Sequence, residues 1–426
     1  MKNEQKFDTI AVHGGYDPKD NMGCMSVPIY QTTAYEFNSS QHAKELFELK
    51  QPGNIYSRLQ NPTNDILEKR ISMLEGGIGA LAVASGHAAI FLTISCIANA
   101  TDEIISANTI YGGAINLMNV SMRRLGINFK FANADEPESF ERLITEKTKA
   151  IFIEDVANPN ANIVDIEAIA KIAQKYGILF IVDNTLCTPY LLKPIEYGAN
   201  IVIHSATKYL GGHGTSMAGL VVDAGNFDFK GNPRYSDYNT PDVSYHGIVF
   251  ADIGPGAFIN RLRALSLRDF GPCLSPFNSF MILQGIETLG LRMQRHSENA
   301  LKIAQFLQNC DDITFVNYSG LEDNKYNELA KKYLPNGQGG MMTFGLKGGK
   351  ARAPKFIDSL KIIKNVANLG DTRTIISHPA TTTHSQLNEE QLLAAKISAE
   401  TIRLSVGIED VSDLIGDIKQ AIEITR

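Results

Sequence analysis

Short apolar runs alternate with amphipathic helical segments through the middle of this chain, and that order points to a mainly parallel sheet covered on both faces. Ala150-Ile151-Phe152-Ile153-Glu154 reads as one strand. Residues 166–176 follow it with apolar side chains at Ile166, Ile169, Ala170, Ala173 and Tyr176, three and four positions apart, as a helix with one buried face requires. Asp165 can cap its start and Gly177 can end it. Ile178 to Val182 and Ile201-Val202-Ile203 are the next strands. In sheets of this kind ligands lie at the carboxyl ends of strands, where Gly86, Asn158, Asp183 and Ser205 would converge.

The residues at those strand ends suggest a chemistry. After Ile203 the chain runs Ser205-Ala206-Thr207-Lys208-Tyr209-Leu210-Gly211-Gly212-His213-Gly214. A lysine leaving a strand among small residues can be desolvated, and a desolvated ammonium loses its proton more easily, which suits an amine that attacks a carbonyl. The hydroxyls of Ser205 and Thr207, with loop N–H groups, suit a phosphate dianion. Together they suggest a Schiff base between Lys208 and pyridoxal phosphate. Asp183, at the end of its own strand, could hold the proton on a pyridine nitrogen. Ser85-Gly86-His87 opens a helical stretch whose free N–H groups favour an anion, and Tyr111-Gly112-Gly113 offers an aromatic face. Taken singly, each segment also fits a blander reading: a solvated lysine beside a Gly-rich turn, an Asp-Asn turn, a packing corner.

Further segments carry a resemblance along nearly the whole chain: Val27-Pro28-Ile29-Tyr30-Gln31-Thr32-Thr33, Tyr56-Ser57-Arg58, Asn61-Pro62-Thr63 and Arg403-Leu404-Ser405-Val406-Gly407-Ile408-Glu409. With the lysine segment, they resemble the γ-subfamily of pyridoxal-phosphate enzymes of Cys/Met metabolism. The resemblance implies an α/β, fold-type I transferase with a mainly parallel seven-stranded sheet and a smaller α+β C-terminal domain. It divides the chain into an N-terminal arm contacting a neighbouring subunit (1–62), a cofactor-binding domain (63–268) and a C-terminal domain (269–426). It implies pyridoxal 5'-phosphate as cofactor, carried by Lys208, which then acts as the base. Asp183 would pair with the ring nitrogen and Tyr111 stack on the ring. Gly86, the His87 backbone, Ser205 and Thr207 would hold the phosphate, with Thr185 in the same cofactor set. Tyr56 and Arg58 would reach the phosphate from the adjacent subunit, Tyr56 joining Lys208 and Tyr111 as a catalytic candidate. Arg403 would fork onto the substrate carboxylate, beside Thr374, and Asn158 would serve that carboxylate or the cofactor hydroxyl.

Within the family the chain is most similar to the O-acetylhomoserine sulfhydrylase branch, through Gly53-Asn54-Ile55-Tyr56-Ser57-Arg58, Pro241-Asp242-Val243-Ser244-Tyr245-His246-Gly247, Leu369-Gly370-Asp371 and an inserted loop over 223–250. Its implied reaction is γ-replacement, giving homocysteine and acetate from acetylated homoserine and sulfide. Cystathionine γ-synthase and methionine or cystathionine γ-lyase activities are the alternatives. Three positions depart from the family: His87 stands where Gln or Met is common, Ala157 where the sulfhydrylases often have Gly, and Thr374 where Ser is usual. The expected partners are small molecules, further copies of the chain in a homotetramer, and a thiocarboxylated sulfur-carrier protein as an alternative sulfur source.

The 426 residues exceed one ordinary core, and a hydrophobic share of 44% with 20% charged residues is ordinary globular composition. A net charge of −6 argues against nucleic-acid or acidic-membrane partners. Cys24, Cys96, Cys187, Cys273 and Cys310 are widely spaced, so neither a zinc ribbon nor a disulfide scaffold is indicated. The polar opening Met1-Lys2-Asn3-Glu4-Gln5-Lys6 lacks a signal-peptide core, which leads to an expected cytoplasmic location. The apolar stretch near Ala88 to Ala100 is too short to span a bilayer. Beyond about Asp269 the pattern changes. A helical stretch from Phe277 to Leu307 precedes strands around Ile313–Val316 and Met341–Phe344. Helices near Ala353–Asn365 and Glu389–Ile397, Arg403 in the last strand and a terminal helix from Val411 follow. A metal hydrolase using His378 and His384 is disfavoured because they lack a His-Glu-x-x-His core. A non-catalytic cofactor-bound interaction protein is disfavoured by Lys208, Asp183 and Arg403 occurring together.

Overall fold

The structure, a computed structural model, describes residues 5–48, 50–382, 398 and 400–426. Strands β1 (Gly79–Val83), β2 (Glu103–Ala107), β3 (Asn128–Ala132), β4 (Thr148–Glu154), β5 (Leu179–Asp183), β6 (Ile201–Ser205) and β7 (Gly219–Asp223) form one seven-stranded sheet in the order β1-β7-β6-β5-β4-β2-β3. The pairs among β2 to β6 are parallel, while β7 runs antiparallel to both β1 and β6. Two reversals cancel, so β1 points the same way as β6. The carboxyl ends of β1, β4, β5 and β6 therefore open onto one edge of the sheet. The mainly parallel seven-stranded sheet expected from the sequence is what the chain forms.

Continuous apolar runs drive this arrangement. Every residue of β5 and β7 is buried, as are Ala150 to Glu154 of β4. Each fully buried Ile, Val, Leu or Phe side chain contributes on the order of 1.5–3 kcal/mol. The helix Ile166–Tyr176 has its expected bounds, with the Asp165 carboxylate accepting from the Ala168 N–H and Gly177 closing it at φ 60. The inserted segment folds back on the sheet through an aromatic cluster. Phe229 and Tyr238 stack with ring centroids 4.0 Å apart, and the Tyr235 hydroxyl accepts from the Leu179 N–H of β5 and donates to the Lys149 carbonyl of β4.

A second, five-stranded sheet follows, in the order β10-β11-β12-β9-β8, built from β8 (Ile313–Asn317), β9 (Met341–Leu346), β10 (Lys364–Asn365), β11 (Ile375–Ser377) and β12 (Thr401–Ser405). Its own core gathers Met342, Phe344, Ile402, Leu404, Leu414 and Ile418. Arg403 lies on β12 as the sequence suggests, opposite Thr343 on one side and Ser377 on the other. The core of the large sheet continues past residue 268 through Ile282, Leu289 and Met293, and the second core begins at Ala300 on the same helix.

Two helical expectations need correction. The stretch from Phe277 to Leu307 is two helices, Pro276–Glu287 and Leu289–Gln308, parted at Thr288. The Thr288 hydroxyl accepts from Arg292 Nε at 3.2 Å and donates toward the Gly285 carbonyl, a local alternative to helical bonding. The helix placed at Ala353–Asn365 spans Gly349–Asp358. Beyond it the Asp417 carboxylate takes the N–H groups of Lys361, Ile362 and Ile363, and Lys364–Asn365 pair with β11 instead. The expected helix Glu389–Ile397 lies outside the described residues. In the first 62 residues, the helix Phe7–His13 packs with Ala11 in the large core, and Ser40–Phe47 forms a second short helix.

Candidate active site

Where β1 ends, Ser85 caps the helix Gly86–Ile97, its hydroxyl accepting from the Ala88 N–H. This leaves the first-turn N–H groups of Gly86 and His87 without intrahelical acceptors. A side chain at residue 86 would put its Cβ 2.7 Å from Ser205 Cβ, so only glycine lets the helix start approach the end of β6 this closely. Gly219 answers the same need from β7, where a Cβ would lie 2.0 Å from the Ser85 carbonyl oxygen. Gly86, His87, Ser205 and Thr207 thus line one end of a cavity of about 310 Å³, a volume suited to a small molecule. Free N–H groups, the helix dipole and two hydroxyls form an anion site.

Asp183 lies deeper in the same cavity. Its Oδ1 accepts from the Thr185 N–H at 3.0 Å and the Thr185 hydroxyl at 2.5 Å, while that hydroxyl accepts from the Ser205 N–H at 2.8 Å. Thr185 therefore braces the ends of β5 and β6 against each other. Burial pushes the Asp183 carboxyl up, against the lowering effect of Thr185 and of nearby His204 and His87. Glu154, beside it in register on β4, also reaches the cavity, and burial together with the Asp183 charge holds it well above the usual carboxylate range.

Two cations line the same cavity. Lys208 Nζ donates to Asn368 Oδ1 at 2.5 Å, and burial followed by repulsion from Arg403 lowers its pKa to about 8. Arg403 donates from Nη1 to Asn158 Oδ1 at 3.1 Å and from Nη2 to the Asn368 carbonyl at 2.8 Å. Its buried Nε has no partner among the described residues, and burial lowers the guanidinium to about 10. Tyr111 lies at the mouth, its ring edge-on to His87 with centroids 5.8 Å apart.

The structure thus brings Gly86, His87, Tyr111, Asn158, Asp183, Thr185, Ser205, Thr207, Lys208 and Arg403 to one cavity. Three candidates are not brought there. Thr374 is fully buried, with its hydroxyl donating to Glu409 Oε2 at 2.8 Å and accepting from the Gly407 N–H at 2.8 Å; it ties β11 to the turn after β12 and does not line the cavity. Tyr56 is 42% exposed, and Arg58 lies over its ring while donating to the Arg268 carbonyl, so neither lines the cavity of its own chain.

Glu154 and Asn368 escaped the sequence reading. Glu154 ends an apolar strand just as Asp183 does, and that signal was available; Asn368 comes from the distant small domain, and nothing local marks it. The donors fit pyridoxal phosphate: an anion site at one end, a buried carboxyl for a ring nitrogen, an amine of lowered basicity, and an unpaired guanidinium N–H for a carboxylate. No group of three His, Cys, Asp or Glu side chains among the described residues could hold a metal ion, and His378 instead bonds Thr381 at 2.9 Å. His384 lies outside the described residues.

The lowered lysine basicity has a measurable consequence. In protein freed of cofactor, reductive labelling with a small aldehyde should reach Lys208 selectively, its rate rising about tenfold per pH unit up to about pH 8 and levelling above. The folded chain binds this proton less tightly than the unfolded chain. The site's contribution to stability should therefore rise as pH climbs from about 8 toward 10.5. Peptide mapping that finds Lys208 labelled no faster than surface lysines at pH 8 would contradict the desolvation argument.

Comparison with known proteins gives one consistent result. A family model described as Cys/Met metabolism PLP-dependent enzyme matches residues 8–423. The O-acetyl-L-homoserine sulfhydrylase of Leptospira meyeri is 44% identical over 99% of this chain and 98% of its own. O-acetyl-L-homoserine sulfhydrylase 1 of Thermus thermophilus is 47% identical over 98% of this chain and 100% of its own. A crystal structure described as an O-acetylhomoserine (thiol)-lyase of Campylobacter jejuni, bearing N'-pyridoxyl-lysine-5'-monophosphate, superposes with a TM-score of 0.96 at 43% identity, covering 98% of this chain and 100% of that one.

Proposed function

The chain belongs to the Cys/Met metabolism family of PLP-dependent enzymes, and on that footing we propose that it converts O-acetyl-L-homoserine and a sulfur donor into L-homocysteine and acetate. The observation that carries the chemistry is that the Lys208 amine, with its pKa lowered to about 8 by burial, shares one cavity with the buried Asp183 carboxyl and the Arg403 guanidinium. The choice of substrate rests on full-length similarity to relatives named for this reaction. A cystathionine γ-lyase structure from Lactobacillus plantarum is a more distant match, at 34% identity and a TM-score of 0.86.

When bound, pyridoxal phosphate supplies the electron sink that makes the substrate's Cα and Cβ protons acidic. The protein supplies the rest. Gly86, His87, Ser205 and Thr207 would hold the phosphate end, and Asp183, fixed by Thr185, would keep the proton on the ring nitrogen. Tyr111 would pack on the ring. Arg403 turns its free Nε and one terminal nitrogen to the substrate carboxylate, a forked contact that lysine cannot copy. Lys208, with a pKa of about 8, is neutral in an appreciable minority of molecules near physiological pH and so can both accept and return protons. It would take the Cα proton and pass it to the cofactor, which frees the amine to take the Cβ proton; acetate then leaves Cγ with the C–O electron pair, hydrosulfide forms the C–S bond there, and the proton movements reverse.

Tyr56 and Arg58 complete the phosphate end of a neighbouring subunit's site, making the working unit at least a dimer and, in this proposal, a homotetramer. Their distance from the cavity of their own chain supports this arrangement. Mixing Lys208→Ala with Arg58→Ala protein under subunit exchange should restore roughly a quarter of wild-type activity, because half the dimers are hybrids with one intact site each. Verified exchange with no recovered activity would place Arg58 in its own chain's site.

Substrate choice is tested by a matrix of acetyl-, succinyl- and phosphoryl-homoserine against sulfide, cysteine and a thiocarboxylated carrier protein, with products identified by mass. Acetyl-homoserine with sulfide should give homocysteine at the highest kcat/KM, and cysteine should be a much poorer acceptor. Preferential formation of cystathionine, or release of ketobutyrate without any acceptor, would assign a γ-synthase or γ-lyase instead.

A further inference from the structure

Glu154 is a buried carboxyl at the cavity to which the reaction gives no task. Its Oε1 accepts from the Tyr111 N–H at 2.7 Å and its Oε2 from the Asn158 N–H at 3.2 Å. These two donors come from different connections: Tyr111 from the turn after β2, Asn158 from the turn after β4. Asn158 passes the constraint on, since its Oδ1 receives Arg403 Nη1 at 3.1 Å. One side chain therefore spans the gap between the residue proposed to face the ring and the residue that orients the carboxylate-binding guanidinium.

We propose that Glu154 is a positioning residue that sets the separation of Tyr111 and Asn158, and through Asn158 the aim of Arg403, without itself touching substrate. Placement at the end of β4 suits the task, because β4 lies between β5 and β2 and is buried along its last five residues. Its neighbours make the site demanding. Asp183 stands beside it in register, Asp155 follows it in the chain, and all three line the cavity together with Lys208 and Arg403. Keeping a carboxyl there is unfavourable unless both oxygens are hydrogen-bonded, and the two backbone N–H groups meet that requirement. The inference rests on the cavity being the cofactor site.

A plain structural carboxyl would also satisfy buried N–H groups, and the same chain provides one for comparison. Asp417 accepts from Lys361, Ile362 and Ile363 at 2.9, 2.8 and 2.9 Å, away from the cavity. Glu154→Gln keeps the shape but turns an amide NH2 toward one of the two backbone donors. With cofactor loaded, it should change the visible circular dichroism of the bound pyridoxal phosphate and speed cofactor release. It should also lower kcat/KM for the preferred acylated homoserine roughly 10- to 100-fold, mainly through KM. Asp417→Asn should lower the melting temperature and leave all three readouts per loaded site unchanged. Glu154→Asp keeps the carboxyl and shortens the reach by one methylene; it should reproduce the dichroism change, and it decides the matter if the glutamine variant does not accumulate folded. Wild-type dichroism, cofactor release and kinetics per loaded site in the Glu154 variants, with only a lower melting temperature as in Asp417→Asn, would overturn the proposal. Dichroism and cofactor release do not depend on which ester is the substrate, so a failure of the substrate assignment remains distinguishable.

Discussion

Burying several ionisable groups at the edge of one sheet is unfavourable unless each finds a fixed partner, and this constraint organises the cavity. Asp183 is held by Thr185, Glu154 by two backbone N–H groups, Lys208 by Asn368, and Arg403 by Asn158 and the Asn368 carbonyl. The pairing is incomplete where chemistry needs an opening. Arg403 keeps one buried N–H unpaired among the described residues, and Lys208 faces a neutral amide instead of a carboxylate, which leaves burial free to lower its basicity. A salt bridge at that position would raise the lysine's pKa and leave less of the amine neutral and able to accept a proton near neutral pH.

The fold supplies the positions that this pairing requires. Because β7 reverses direction between β1 and β6, the anion-binding helix start and the lysine strand open on the same edge. The small domain then contributes Arg403 from a strand and Asn368 from a loop, so the cation side of the cavity exists only when both cores are folded and docked. Thr374 acts within the small domain. Its contacts with Glu409 and Gly407 hold the segment after Arg403 in place.

Much of this was legible in the sequence because it depends on local pattern. Strand ends carrying Asp183 and Ser205, the Ser-Gly helix start and the capped helix Ile166–Tyr176 each follow from periodicity and turn chemistry over a few residues. What was not legible depends on contacts distant in sequence. Lys361 to Ile363 are drawn out of a helix by Asp417, more than fifty residues away. Thr288 parts a helical stretch where its hydroxyl bonds across one turn to Gly285 and Arg292. Asn368 reaches Lys208 from another domain. Thr374 was placed at the substrate from its similarity to a family serine, yet its side chain points into the small domain's own hydrogen bonds.

The central claim is that one lysine moves protons at two substrate carbons so that sulfur can enter at a third. Turnover of O-acetylhomoserine with sulfide in heavy water tests it most directly, with the homocysteine read by mass spectrometry and proton NMR. The account predicts deuterium at both Cα and Cβ of the product, with acetate released in equal amount. Homocysteine formed with no deuterium at Cβ would mean that sulfide displaces acetate directly, and the proton-transfer role assigned to Lys208 at that carbon would be wrong.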